Sequence, residues 1–136
     1  MWVRKMSRAI GFLLLLSCIA SMLGCTRVRP DAVYGTYVAT YPFGRDTLNL
    51  RRDGRFDQQI EVDGQGKQSV SGTWQYSQRD GYVEFHHLGC VADGFGKLKD
   101  DWRTDVMETS DQPVERFWLK VTINSGARYP YVKRDE

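Results

Sequence analysis

After residue 31 alternation of apolar and polar residues dominates the chain, and Asp-Gly pairs break it at short intervals. Val70, Trp74 and Tyr76 fall on one phase, Ser71, Thr73 and Gln75 on the other. Leu48 and Leu50 alternate with Thr47, Asn49 and Arg51, and Phe56, Ile60 and Val62 with Asp57 and Glu61. Phe117, Leu119, Val121 and Ile123 share a phase opposite Arg116, Lys120 and Thr122. Period two with one apolar face marks half-buried strands, because successive side chains of a strand point to opposite faces. Asp53-Gly54, Asp63-Gly64 and Asp80-Gly81 supply the positive φ that tight hairpins need, and Asn124-Ser125-Gly126 reads as a fourth turn.

These signals predict an all-β domain over 32–136, with strands near 32–41, 46–52, 55–62, 68–77, 82–87, 102–108, 114–123 and 128–133. Short connections make neighbours antiparallel, giving an up-and-down meander of about eight strands. Such a meander has bare edges unless it is closed or partly closed as a small barrel. Gly72 sits on the inner phase of its strand, where it leaves room for a neighbour such as Trp74 or for a bend. One connection departs from the rest: Leu88 to Asp101, with Gly89, Gly94 and Gly96, is long enough to be a functional loop, a crossover or an insertion.

The first 24 residues have a different character. Arg4, Lys5 and Arg8 precede an apolar run containing Leu13 to Leu16, and small and apolar residues lead from Ser17 to Gly24. A basic end, a short apolar core and a small-residue zone predict a helical secretory signal peptide over 1–24. A permanent membrane span is the alternative, but it wants about 20 predominantly apolar residues and Ala9 to Gly24 is shorter and partly polar. Met22-Leu23-Gly24-Cys25 resembles the lipobox of bacterial lipoproteins, with small Gly24 directly before the cysteine. Leu15-Leu16-Ser17-Cys18 is a rival that leaves a signal core of only about eight apolar residues.

The resemblance implies cleavage before Cys25 and a diacylglycerol thioether on that cysteine, with a further fatty acid such as palmitate on the new N-terminus. Several acyl chains hold a protein to a membrane stably. Thr26, where an Asp would favour inner-membrane retention, implies the outer membrane, facing the periplasm. Residues 25–31 then form a lipidated tether, with Arg27 and Arg29 near the headgroups. The order of Gly35-Thr36-Tyr37, Leu48-Asn49-Leu50, Asp53-Gly54-Arg55-Phe56, Gly72-Thr73-Trp74, Tyr129 and Tyr131 resembles small lipocalin-like barrels of envelope lipoproteins, although Tyr37 stands where that family has Trp.

Cleavage removes 24 of the 136 residues and takes Arg4, Lys5 and Arg8 with it, so the 19 basic residues fall to 16 against 17 acidic. A charge that close to zero argues against nucleic acid as partner. Cys18 leaves with the signal and Cys25 is lipidated, so Cys90 has no intramolecular disulfide partner and reads as a small buried hydrophobe, or else as a reactive thiol.

Chemistry-bearing residues are sparse. His86 and His87 are the only histidines, and neighbours on a strand face opposite ways, so no metal site is expected. Asp93, Asp100, Asp101 and Asp105 surround the long loop without EF-hand spacing and read as a solvated face. Glu61 and Glu84 could meet across strands, yet no nucleophile turn or phosphate-cradling motif accompanies them. No cofactor and no enzyme activity is expected. Trp118, Trp102 and Phe95 are the candidate binding residues. Trp118 is expected to pack under a loop; the alternatives are a binding surface or contact with the membrane. The sequence thus predicts a membrane-anchored binding module for a small apolar ligand or a protein partner. The alternative is an inhibitor or assembly factor for a hydrolase, acting through residues 88–101.

Overall fold

The computed structural model describes residues 27–124 and 127–135. The expected signal peptide, the Cys25 lipidation site and the first tether residues lie outside the described residues.

Eight antiparallel strands run in sequence order and close on themselves: β1 Gly35–Tyr41, β2 Gly44–Leu50, β3 Arg55–Val62, β4 Gly66–Ser77, β5 Tyr82–Gly89, β6 Val106–Phe117, β7 Lys120–Ile123 and β8 Tyr131–Lys133. Closure comes from β1 pairing with β8, Val38 opposite Val132. The barrel leaves no strand edge open, as the meander requires. Gly54, Gly64 and Gly81 all carry positive φ, so the three Asp-Gly pairs make the hairpin turns for which their chemistry suits them.

The inner phase of each strand fills the interior. Tyr37, Leu48, Leu50, Phe56, Val83, Phe85 and Ile123 are sealed from solvent in one cluster. Phe56 and Phe85 meet edge to face at 5.5 Å. Gly72 makes room for that pair: a Cβ there would overlap the His86 carbonyl oxygen and lie 2.7 Å from the Phe56 ring. Phe56, rather than Trp74, is the neighbour the glycine accommodates.

Antiparallel order sorts the connections between two ends. The chain entry to β1, the β2–β3, β4–β5 and β6–β7 turns and the exit from β8 lie at one end, here called the base. The β1–β2 and β3–β4 turns, the long β5–β6 loop and the β7–β8 connection lie at the other, the mouth.

At the base, the described part of the expected tether is docked. Pro30–Val33 form a single helical turn, α1, with Pro at its start. Val28 and Val33 are buried, and Tyr76 and Tyr37 donate hydroxyl hydrogen bonds to their carbonyls at 2.7 and 2.5 Å. Apolar Val28 and Val33 thus plug the barrel end, which is why β1 begins at Gly35 and not at residue 32. At the mouth, Trp102 and Val91 pack on Ile60 and Val62 in a second cluster. The expected strand at 102–108 is there a turn that leads into β6, because Trp102 is drawn inward over the barrel.

The expected strand 114–123 is also corrected. It divides into the end of β6 and all of β7, joined by a hairpin at Trp118-Leu119. Val121 and Ile123 remain on the inner face, whereas Phe117 and Leu119 project with Trp118 into solvent.

Candidate functional site at the mouth of the barrel

Three buried inward positions carry polar side chains, Asp46 beside Leu48, Gln58 between Phe56 and Ile60, and Ser110 on β6, and the first two belong to one cluster. Both are buried, with Tyr131 of β8 beside them. The Tyr131 hydroxyl donates to Asp46 Oδ2 at 2.5 Å, and Gln58 Nε2 donates to the same oxygen at 2.8 Å. Gln58 also pairs with the backbone of Gly89. Its Oε1 accepts the Gly89 N–H at 2.8 Å, and its Nε2 reaches the Gly89 carbonyl at 3.1 Å. Among the buried side-chain nitrogens and oxygens of the described residues, Asp46 Oδ1 alone has no hydrogen-bond partner.

Burial dominates the electrostatics of this cluster. It pushes the Asp46 carboxyl up to about 7, against the opposing pull of the Tyr131 and Gln58 hydrogen bonds. Burial, with the Asp46 carboxylate second, raises the Tyr41 and Tyr131 phenols well above their ordinary value.

Tyr131, Gly89 and Tyr41 line a cleft of about 320 Å³ between the long loop and the β7–β8 connection. Cys90 and Met107 line it as well. Cys90 is half-buried, and burial raises its thiol, which keeps it protonated and weakly nucleophilic.

The loop roofing this cleft is folded, not slack. Ala92 and Leu98 form a β-bridge, and Asp93 N–H donates to the Lys97 carbonyl at 2.8 Å. Asp93 Oδ1 accepts the backbone N–H groups of Phe95 and Lys97 at 2.9 and 2.8 Å. These bonds to the ionised carboxylate hold Asp93 below the usual range. Gly96, at φ +78, lets the turn lie against the Tyr129 ring, and Arg128 reaches the Phe95 carbonyl at 3.3 Å. Lys99 pairs with Asp105 below. The Phe95 side chain is held at the tip, 79% exposed.

The candidate binding residues therefore separate. Phe95 projects from the mouth. Trp102 is 3% exposed, donates its indole N–H to Gln65 Oε1 at 3.0 Å, and serves as packing under the loop. Trp118 is at the base, 84% exposed, and does not pack under a loop as expected. Among the described residues no loop covers it, and it stands at the tip of a two-residue hairpin turn.

His86 and His87 also differ from expectation. His87 has a φ of +68, which rotates the strand so that both imidazoles reach the outer wall and Leu88 turns inward. His86 Nε2 meets Glu84 Oε1 at 2.8 Å, and His87 Nε2 lies 3.8 Å from Glu108. Glu61 pairs with Arg45 and Lys67 instead of meeting Glu84. Among the described residues no three His, Cys, Asp or Glu side chains converge as a metal site would require.

The Asp46–Gln58–Tyr131 cluster is the element that the candidate residues omitted. Its signal is a polar residue in the inward phase, at 46 and at 58.

No family model, curated protein or solved structure shows significant similarity to the chain.

Proposed function

We propose that this chain is a lipid-anchored, non-enzymatic envelope module that recognises a protein partner with the mouth of its barrel. Residues 1–24 act as the signal peptide and Cys25 as the lipidated residue. Thr26 favours the outer membrane, with the barrel in the periplasm. The observation that carries the binding reading is the pinned turn at Asp93–Lys97, which holds Phe95 almost fully in solvent. An exposed aromatic on a pre-ordered loop loses little conformational freedom on binding, and such residues anchor interfaces. The filled interior weighs against carriage of an apolar ligand inside the barrel.

A second reading has a specific feature in its favour. A rigid turn with one projecting aromatic is a shape suited to entering a cleft, so the partner could be an envelope or foreign hydrolase that the loop blocks.

Both readings are tested by placing a photo-crosslinking phenylalanine analogue at position 95 or at Gln59, on the outer wall of β3, in the source cells. A discrete adduct from position 95 alone supports mouth recognition. Equal adducts from both positions, or none from 95, contradict it.

A further inference from the structure

The base carries an apolar projection. Phe117, Trp118 and Leu119 form the tip of the β6–β7 hairpin and are 74%, 84% and 84% exposed. Trp118 takes a φ of +56, a backbone region that bulky residues rarely occupy. Asn or Gly would make the same turn more readily, so the tip holds an indole in solvent at a conformational cost. Beside it, Leu119 and Ala32 of α1 line one groove with Arg116, Lys120 and Arg134, and with Asp135, which pairs with Lys120 at 3.6 Å. The segment that follows the expected lipidated cysteine thus lies next to the tip.

The charges at the two ends differ. Spans 27–34, 51–55, 78–81, 115–120 and 133–135, which meet at the base, hold ten Arg or Lys against five Asp or Glu. The described mouth spans 41–45, 62–67, 90–105, 124 and 127–130 hold six against five. An aromatic and aliphatic tip ringed by basic residues fits the boundary of an anionic bilayer. There the rings enter the headgroup region and the cations meet lipid phosphates.

We infer that the Phe117–Leu119 hairpin inserts into the surface of an anionic membrane and, with the basic base around it, orients the barrel with its mouth away from the lipid. This deepens the anchor reading and rests on it for what brings the base to the bilayer; the tip and the charge asymmetry belong to described residues.

The test uses the full chain, purified from membranes and reconstituted into phosphatidylethanolamine–phosphatidylglycerol vesicles whose acyl chains are brominated near the headgroup. Bromine quenches tryptophan only at close range, and subtracting the emission of Trp118→Phe isolates Trp118 from the other indoles. The inference expects that isolated emission to fall severalfold on brominated vesicles, for a tip lying in the headgroup and upper acyl boundary. It also expects Trp118→Phe to melt like wild type. A chain that floats with the vesicles while its Trp118 emission stays unquenched overturns the inserted tip and leaves the anchor intact. Trp118 emission already blue-shifted without vesicles, and insensitive to bromine, would mean that a second copy or another part of the chain covers the tip; this also overturns the inference. Quenching retained in a Cys25→Ala chain shown to carry no lipid supports a tip that enters the bilayer without the acyl chains. A chain that neither floats nor is quenched overturns both.

Discussion

The Tyr131 hydroxyl reaches Asp46 across the barrel interior, 2.5 Å from Oδ2, although β8 and β2 are not neighbours in the sheet and β1 runs between them. Gln58 joins the same carboxylate from β3 and holds Gly89 of β5 with both ends of its amide. Four strands are thus tied together beneath the mouth by a single polar cluster. A fully bonded buried network fixes geometry, whereas a buried charge with an unpaired oxygen costs stability.

That balance makes stability depend on pH. The folded state raises Asp46 from 3.8 to about 7, so between those values the folded chain holds a proton that the unfolded chain has released. The contribution of this group is fully present below about pH 4 and is lost as pH rises through about 7. Asp46→Asn keeps an oxygen acceptor for Tyr131 and Gln58 and cannot ionise. It is expected to gain on wild type by roughly 2–4 kcal/mol between pH 4 and pH 8. Urea unfolding of both chains across that range checks this; parallel curves would contradict it.

Gln58→Leu should be costly despite its similar volume. It leaves the Gly89 N–H and carbonyl without their side-chain partner and Asp46 Oδ2 with the Tyr131 hydroxyl alone, a loss of about 2–4 kcal/mol. Hydrogen exchange at Gly89 and Cys90 should accelerate more than at Leu48, since the long loop begins there.

Two glycines separate crowding from backbone conformation. Gly72→Ala pushes a methyl group into the His86 carbonyl and the Phe56 ring, for an expected loss of about 1–3 kcal/mol. Gly64→Ala has nothing within 4 Å but sits at φ +72, so its loss should be near 1 kcal/mol. Thermal melts of the two variants should rank in that order.

Strand order, the three Asp-Gly turns and barrel closure were legible because alternation and turn chemistry are local. What escaped depends on tertiary contact. The turn at Trp118 has no Gly or Asn, so 114–123 looked like one strand. Residues 30–33 form a turn of helix because Val28 and Val33 find a barrel end to plug. Asp46 and Gln58 interrupt apolar rows that otherwise read cleanly, and only the closed barrel brings Tyr131 to them. Trp102 reads in sequence as the start of a strand and Phe95 as a loop aromatic; the first is drawn over the core at a turn while the other is held away by the Asp93 turn.

That turn gives another expectation. Asp93→Ala removes the acceptor for two backbone N–H groups, so limited proteolysis within 90–105 should speed up several-fold. Phe95→Ala touches no core residue and should shift stability by less than about 0.5 kcal/mol, while abolishing recognition at the mouth.

The proposed lipid anchor on Cys25 underlies both the proposed orientation at the membrane and the proposed role of the mouth, and the intact mass of the protein isolated from envelope membranes tests it most directly. The expected species is a polypeptide beginning at Cys25 and carrying a diacylglycerol and an added acyl chain. A polypeptide that retains residues 1–24, or one that begins elsewhere without fatty acid, would contradict it.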